Sequence, residues 1–181
     1  MPFADLTPET APPASRRAME AVTERLGYRP AAVARLAASP HALDGFLKIS
    51  AIFEACTLDA LSREIVVMTM ATRNDCHVCV AMHTAKLTAL HADPALIAAL
   101  RHGTEAPLPD EHLDAVRRFA LAVLASAGAV DDADLRDFLS YGYTGQNALE
   151  VVLGIGAYTL STLANRLTGA PVDEQLAAFA A

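Results

Sequence analysis

The chain has 181 residues, of which 53% are hydrophobic and 19% are charged, and its net charge at pH 7 is −7. This length and composition predict one globular domain with a sizeable core, and the acidic balance argues against nucleic acid or an anionic membrane as partner. Three cysteines are too few for a secreted disulfide scaffold and are odd in number, which favours a cytoplasmic location.

Residues 1–13 are rich in proline and carry acidic side chains, and they are predicted to form an N-terminal extension to a domain that spans residues 14–181. They lack the basic and apolar regions of a signal peptide. The longest charge-free apolar run, from Val151 to Ala164, is shorter than the roughly 20 residues that span a bilayer. We therefore expect neither a leader nor a membrane anchor.

Helix signals follow one another along the whole chain. Ser15 is a candidate cap for a first helix that ends at Gly27, and Pro30 and Pro40 lie near the starts of the next two helices. No stretch alternates in the manner of a strand, so the sequence predicts an all-α fold in a single domain. The predicted helices are 15–26, 31–37, 41–56, 59–73, 76–91, 94–101, 111–127, 131–141 and 145–167.

One short stretch of the sequence contains two thiols, an imidazole and a carboxylate. Cys76 and Cys79 form a C-x-x-C pair, His83 follows one helical turn later, and Glu64 lies twelve residues before Cys76. Positions i, i+3 and i+7 place the two cysteines and the histidine on one helical face. Glu64 can join them only if the chain turns at residues 74–75, an Asn-Asp pair that is predicted to end one helix and to cap the next, folding it back beside the first.

These residue types favour thiol redox chemistry. A reactive thiol needs a lowered pKa, and a partner thiol allows it to be recycled through a disulfide. Cys76 is expected to have the lower pKa of the two cysteines, because free N–H groups and the positive end of the helix stabilise a thiolate in the first turn.

Other interpretations of the same residues remain open. The cysteines can be small core residues, because free cysteine is often buried. Together with His83 and Glu64, or with His102 or His112 in place of one ligand, they can form a zinc site, although no second C-x-x-C is present. A thioredoxin-like motif is disfavoured because the neighbouring βαβ pattern is absent.

Several other residues have structural interpretations. Cys56 ends an apolar stripe and is interpreted as a core residue. Tyr141 and Tyr143 are expected to pack in the core or at an interface. Asn165 and Arg166 follow an apolar run and are interpreted as helix-end or subunit contacts.

The run from Glu64 to His83 resembles the core of the alkyl hydroperoxidase D (AhpD) proteins, in the carboxymuconolactone decarboxylase superfamily. The likeness is best over residues 41–100 and extends to residues 160–173, which look like the final helix of members called peroxidase-related. The resemblance implies an all-α fold and a homotrimer or homohexamer, and it implies that neither a metal nor an organic cofactor is needed.

The resemblance also implies an activity, that of a thiol-dependent alkyl hydroperoxide reductase in antioxidant defence. Carried over, Cys79 attacks the hydroperoxide and Cys76 resolves the sulfenic acid as a disulfide, which a thiol or dithiol donor then reduces. His83 and Glu64 form the proton relay that activates the thiol and protonates the leaving alkoxide. The chain departs from the family at Val78, where the peroxidase often has a histidine directly before its second cysteine.

Two rival functions are kept beside this one. A lactone decarboxylase of the same superfamily would need a proton donor and a carboxylate-binding site, and the paired cysteines count against it. A helical assembly or metal-binding module would use the cysteines without catalysis.

Overall fold

The structure, a computed structural model, describes residues 3–103 and 107–180; residues 1, 2, 104–106 and 181 of the predicted extension and domain lie outside this description. Within the described ranges there are nine α-helices, one short 3₁₀-helix and no strand, which confirms the predicted all-α fold. The helices are α1 (Pro13–Leu26), α2 (Ala31–Leu36), α3 (Pro40–Glu54), α4 (Ala60–Arg73), α5 (His77–Ala89), α6 (Pro94–Arg101), α7 (Glu111–Ala125), α8 (Asp132–Ser140) and α9 (Gly145–Thr168), and the 3₁₀-helix is Glu174–Phe179.

The predicted helix ends agree with the observed ends to within two residues, because local caps fix most of them. An aspartate or threonine side chain accepts a first-turn N–H at five helix starts, namely Asp59, Asp93, Asp110, Asp131 and Thr144. Gly27 ends α1 in the left-handed region, with φ of 77°. The prediction for Ser15 was wrong: α1 begins at Pro13, and the Ser15 hydroxyl donates to the Ala37 carbonyl.

Helix α4 lies at the centre of the molecule. Residues 64–71 are all buried, and the helix packs against α5, α7 and α9 to form the main hydrophobic cluster. A second, smaller cluster joins α1, α2 and α3 around Met19, Val33 and Leu43. The main cluster and the smaller cluster therefore face each other, and the candidate site lies in the cavity between them.

Helix α9 extends beyond the apolar run that the sequence analysis considered. It covers 24 residues, and by length and composition it is long enough to cross a membrane, unlike the run from Val151 to Ala164 alone. This is weak evidence for a membrane span, because 44% of the most apolar window of α9 is buried inside the domain and the core helix of a globular protein can have the same length and composition. A Cβ at Gly154 would lie 2.6 Å from the Phe53 ring and 2.9 Å from Val66. Glycine thus allows α9 to approach α3 and α4 closely.

Candidate active site

The chain reverses direction between α4 and α5, at the position that the sequence analysis required. Helix α4 ends at Arg73, and Asp75 adopts the left-handed region with φ of 51°. The Cys76 N–H then donates back to the Ala71 carbonyl at 2.8 Å, which closes the turn. Because of this reversal, α5 lies beside α4 and the two helices share one site.

The turn is held from the far end of the chain, by α9. The Asn74 side chain donates to Thr162 Oγ1 at 2.8 Å. The Arg166 guanidinium donates to the carbonyls of Asn74 and Asp75 and to the Asp75 carboxylate, at 2.9, 2.6 and 2.7 Å. These partners explain why the prediction that Asn74 or Asp75 caps α5 was wrong: the N-cap is Cys76, with no side-chain cap.

Glu64 contacts His83, and a lysine that the sequence analysis did not select joins them. Glu64 is 1% exposed; its Oε2 lies 2.7 Å from His83 Nδ1, and its Oε1 lies 2.7 Å from Lys86 Nζ. Burial opposes ionisation of this carboxyl, but His83 and Lys86 outweigh it and hold the pKa of Glu64 below its usual value. The carboxylate can only accept, so Nδ1 donates to it and Nε2 is left to exchange a proton.

Lys86 links this buried carboxylate to the protein surface. Its ammonium also pairs with Glu54 at 2.5 Å. Burial works against the charge of Lys86, but Glu64 and Glu54 together raise its pKa. Lys86 therefore stays charged and compensates the buried Glu64 carboxylate.

The two thiols of the C-x-x-C pair are in direct contact. The sulfurs of Cys76 and Cys79 are 2.7 Å apart, both free and both buried. Hydrogen bonding from the Cys79 side chain outweighs burial and, with the Cys79 N–H, lowers the pKa of the Cys76 thiol. The same hydrogen bond, together with burial, raises the pKa of Cys79. When the pair loses one proton, the negative charge therefore lies on Cys76, in line with the helix-end argument.

The third cysteine, Cys56, packs against the main cluster and is partly buried, which fits its predicted core role. Burial raises the pKa of this thiol. It is therefore a poor nucleophile at neutral pH.

A cavity of about 700 Å³ opens beside the cysteine pair. Cys79 and His83 line it, whereas Cys76 does not, so Cys79 is the sulfur that an incoming molecule meets. Its walls come from both hydrophobic clusters. The apolar lining includes Val22, Leu26, Val33, Leu36, Phe46, Leu47, Val78 and Met82.

Val78 and His77, which are adjacent in the sequence, lie on different sides of α5. Val78 faces the cavity, where it adds apolar surface in place of a side chain that can carry protons. The His77 side chain is exposed and pairs with Asp75 at 3.7 Å, so it points away from the cavity. Of the two histidines of α5, His83 is the one whose imidazole lines the cavity.

Three polar residues of α9 complete the site, and the sequence analysis did not select them for it. The Asn165 Nδ2 donates to Cys79 Sγ at 3.3 Å, and Ser161 lines the cavity beside it. The Tyr158 ring meets the His83 ring edge-on, with centroids 5.3 Å apart, and burial raises the pKa of its hydroxyl to about 12. The available signal was their spacing at i, i+3 and i+7, which places them on one face of a largely apolar helix.

Among the described residues, no group of three or more His, Cys, Asp or Glu side chains is placed to hold a metal ion. His112 instead stacks on Tyr143, with ring centroids 4.3 Å apart, and its Nδ1 contacts the Tyr141 carbonyl. His102 caps α6. The zinc interpretation therefore finds no ligand set in the described part of the chain.

Comparison with known proteins gave matches at the level of structure only, since no family model and no curated protein matches the sequence. A peroxidase-related protein from Ralstonia eutropha JMP134, described as an alkylhydroperoxidase AhpD core, has a TM-score of 0.84 at 21% identity, over 96% of this chain and 93% of that one. A peroxidase-related protein from Silicibacter sp. TM1040 has a TM-score of 0.79 at 20% identity, with the same coverage.

The debrominase Bmp8 is also similar in structure, with a TM-score of 0.73 at 16% identity, over 92% of this chain and 90% of that one. Its structure is also known in complex with 2,3,4-tribromopyrrole. At these identities the likeness shows the fold, which is the AhpD-like fold that the sequence resemblance implied.

Proposed function

We propose that the chain is a thiol-dependent peroxidase that reduces organic hydroperoxides to alcohols. One observation carries the proposal: two thiols in contact lie beside a buried Glu–His pair, and one of them opens into an apolar cavity. Contact between the sulfurs allows a disulfide to form, and the Glu64–His83 pair supplies a proton donor next to it.

The reaction follows from the positions of these groups. His83 Nε2 first takes the proton that the cysteine pair loses. The Cys79 thiolate attacks the terminal oxygen of the hydroperoxide, the O–O bond breaks, and the departing alkoxide takes that proton from His83. Cys79 is oxidised to a sulfenic acid while the peroxide is reduced to an alcohol. Cys76 then attacks the Cys79 sulfur, which releases water and forms the disulfide, and an external dithiol reduces it by exchange.

Attack by Cys79 requires the negative charge to lie on that sulfur. When the pair has lost one proton, the charge lies on Cys76, because the Cys79 thiol and N–H both stabilise it there. Transfer of the Cys79 proton to Cys76, across the 2.7 Å contact, places the thiolate in the cavity. The proton remains inside the site and becomes the one that the resolving thiol later releases.

The size of the cavity favours an organic hydroperoxide over hydrogen peroxide. A water molecule takes up about 30 Å³ of liquid, so a cavity of about 700 Å³ holds a much larger molecule than hydrogen peroxide. Apolar walls stabilise an apolar substituent by roughly 25 cal/mol for each Å² removed from water. The substrate class is therefore a hydroperoxide with a bulky apolar group.

Reductive dehalogenation is a second candidate, and the likeness to a debrominase favours it. The same cavity has room for a brominated aromatic ring, and the thiol pair supplies two electrons. The ring would exchange its C–Br bond for C–H, bromide and a proton would leave, and Cys76 and Cys79 would form a disulfide.

The deciding experiment adds one equivalent of cumene hydroperoxide or of a bromopyrrole to the reduced protein. We expect cumyl alcohol in a one-to-one ratio with the loss of two of the three thiols, located on Cys76 and Cys79 by mass spectrometry after alkylation. Bromide release without peroxide reduction would select the second candidate. If both cysteines stay alkylatable while peroxide is consumed, the pair is not the catalytic centre.

Single variants assign the two sulfurs their roles. Cys79→Ser is expected to abolish peroxide consumption, whereas Cys76→Ser should form a sulfenic acid that a dimedone-type probe traps but should not turn over. Probe attached to Cys76 in the Cys79→Ser protein would reverse the assignment.

A further inference from the structure

We propose that Asn165 and Ser161 of α9 are catalytic hydrogen-bond donors that hold the negative charge on Cys79 when this sulfur attacks. The proposal rests on the thiol chemistry proposed above, but it does not depend on which electrophile enters the cavity.

Asn165 and Ser161 face the sulfur from the helix opposite α5. The Asn165 Nδ2 donates to Cys79 Sγ at 3.3 Å, and Ser161 lies one helical turn before Asn165. Both side chains are 8% exposed, and both line the cavity into which Cys79 opens. They are therefore shielded from bulk water. Hydrogen bonds to a charged sulfur are stronger in such a shielded environment than in water.

Asn165 also lowers the pKa of Cys76, but Cys79 depends on such donors more than Cys76 does. Cys76 lies at the N-cap of α5, where backbone N–H groups stabilise its thiolate. Cys79 is the third residue of α5, and its own N–H stabilises the Cys76 thiolate instead of the Cys79 sulfur. Hydrogen bonds from Asn165 and Ser161 lower the pKa of Cys79 and so oppose the effects of burial and of Cys76.

The position of Asn165 is fixed by its neighbours on α9. Arg166 binds the turn between α4 and α5 through three hydrogen bonds, and Thr162 accepts the Asn74 amide. These contacts hold α9 in register with the cysteine turn from either side of Asn165. The amide is thus oriented toward the sulfur before a substrate arrives, which is the condition for effective charge stabilisation.

The test measures the pH profile of Cys79 alkylation by iodoacetamide, in a background of Cys56→Ser and Cys76→Ser that leaves Cys79 as the one thiol of the chain. Asn165→Ala is expected to raise the midpoint by about one pH unit and to slow alkylation at pH 7 about tenfold, with the rate recovering at high pH. Ser161→Ala, which removes only a hydroxyl, should shift the midpoint in the same direction by less.

Asn74→Ala is the matched control. It also removes one amide hydrogen bond between α9 and the turn that precedes Cys76, but the Asn74 amide donates to Thr162 and not to a sulfur. It should lower the melting temperature without moving the midpoint. Unchanged midpoints in both Asn165→Ala and Ser161→Ala, or an equal shift in Asn74→Ala, would overturn the proposal. Since alkylation needs no peroxide, a protein that shows the shift but reduces no hydroperoxide would disprove only the proposed function.

Discussion

At the scale of single residues, the site consists of two polar groupings that reach the same cavity, one through Cys79 and the other through His83. One is the contact between the sulfurs, and the other is the chain from Lys86 through Glu64 to His83. Each grouping contains a charge that its neighbours stabilise, since buried charges without partners are costly. The two thiols can therefore change charge and oxidation state inside an otherwise apolar core.

We predict that Glu64→Gln slows peroxide reduction by about a hundredfold, the effect typical of acid–base groups. A glutamine cannot hold the negative charge that orients and polarises His83, and it leaves the Lys86 ammonium without its buried partner. Stopped-flow measurement of Cys79 oxidation would give the rate.

Glu54→Gln is the matched control for this variant. Glu54 also pairs with Lys86, but it lies nearer the surface, and the carboxylate that contacts His83 is Glu64. Its loss should change the rate only slightly. Equal rates in the wild type and Glu64→Gln would reduce Glu64 to a structural residue.

The sequence predicts the local part of this site and not the distant part. Cys76, Cys79 and His83 follow from spacing on one helix, and Glu64 follows once a turn is assumed. Asn165 comes from a helix 86 residues later in the chain than Cys79. Its role depends on how α9 packs against α4 and so brings Asn165 to Cys79, and no local pattern encodes that packing.

At the scale of helices, the ends could be predicted because the capping side chains lie within a few residues of the groups they satisfy. The errors have a common cause. Ser15, Asn74 and Asp75 are all typical capping residues, but each is bonded to a distant segment instead. The 3₁₀-helix Glu174–Phe179 was not predicted, since six residues give too short a periodic pattern.

Glu150, in the first half of α9, accepts hydrogen bonds from the segment that connects α3 to α4. Its carboxylate accepts the N–H groups of Thr57 and Leu58 at 3.0 and 3.1 Å and the side chain of Asn147 at 3.0 Å. Burial opposes its ionisation, but these donors outweigh burial and lower the pKa of Glu150 to about 2. A folded-state pKa below the unfolded value means stabilisation above the usual pKa of glutamate, lost as the pH falls toward 2.

We therefore predict that Glu150→Gln lowers the free energy of unfolding at pH 7 by about 2 to 3 kcal/mol, and that the difference from wild type shrinks as the pH falls from about 4.5 to 2. Urea unfolding at several pH values would measure it. Glu24→Gln, on the exposed surface of α1, is the control. A difference that stays constant with pH would show that the ionised form of Glu150 is not what stabilises the fold.

The cavity wall formed by α3 offers a test of substrate size. Ala51 lines the cavity and is exposed, so Ala51→Phe should narrow the space without disturbing the core. We predict a fall of about tenfold in kcat/KM for cumene hydroperoxide, which loses apolar contact area, and little change for hydrogen peroxide. Ala21→Phe, on the exposed side of α1, should affect neither substrate. A parallel loss for both peroxides would argue against size selection by this cavity.

At the scale of the whole molecule, α9 leaves one face uncovered. Its exposed apolar side chains recur every three or four residues and so share a single stripe, with Gly156 in its middle. The members of this stripe are Leu149, Val152, Leu160, Leu163 and Leu167, which are 38% to 74% exposed. Ile52 of α3, the helix packed beside α9, is also exposed.

We predict that this stripe is covered by further copies of the chain in a trimer or hexamer, as the family resemblance implied. Light scattering at low micromolar concentration should then give three or six times 19.1 kDa. The double variant Leu163→Glu with Leu167→Glu should dissociate the assembly, whereas Leu90→Glu, away from the stripe, should not. A fully active monomer would contradict both the assembly and any role for it in catalysis.

The hydrogen bonds of Arg166 to the turn between α4 and α5 have a kinetic consequence. They join the end of α9 to the backbone on which Cys76 sits, so neither segment can open while the other stays closed. Local unfolding would release both as one cooperative unit, and the amide protons of the turn and of the last turn of α9 would exchange with solvent at a common rate. Exposure of the Cys76 thiol, which does not line the cavity, to bulk oxidants is then limited by the fraying of a helix more than eighty residues away in the chain.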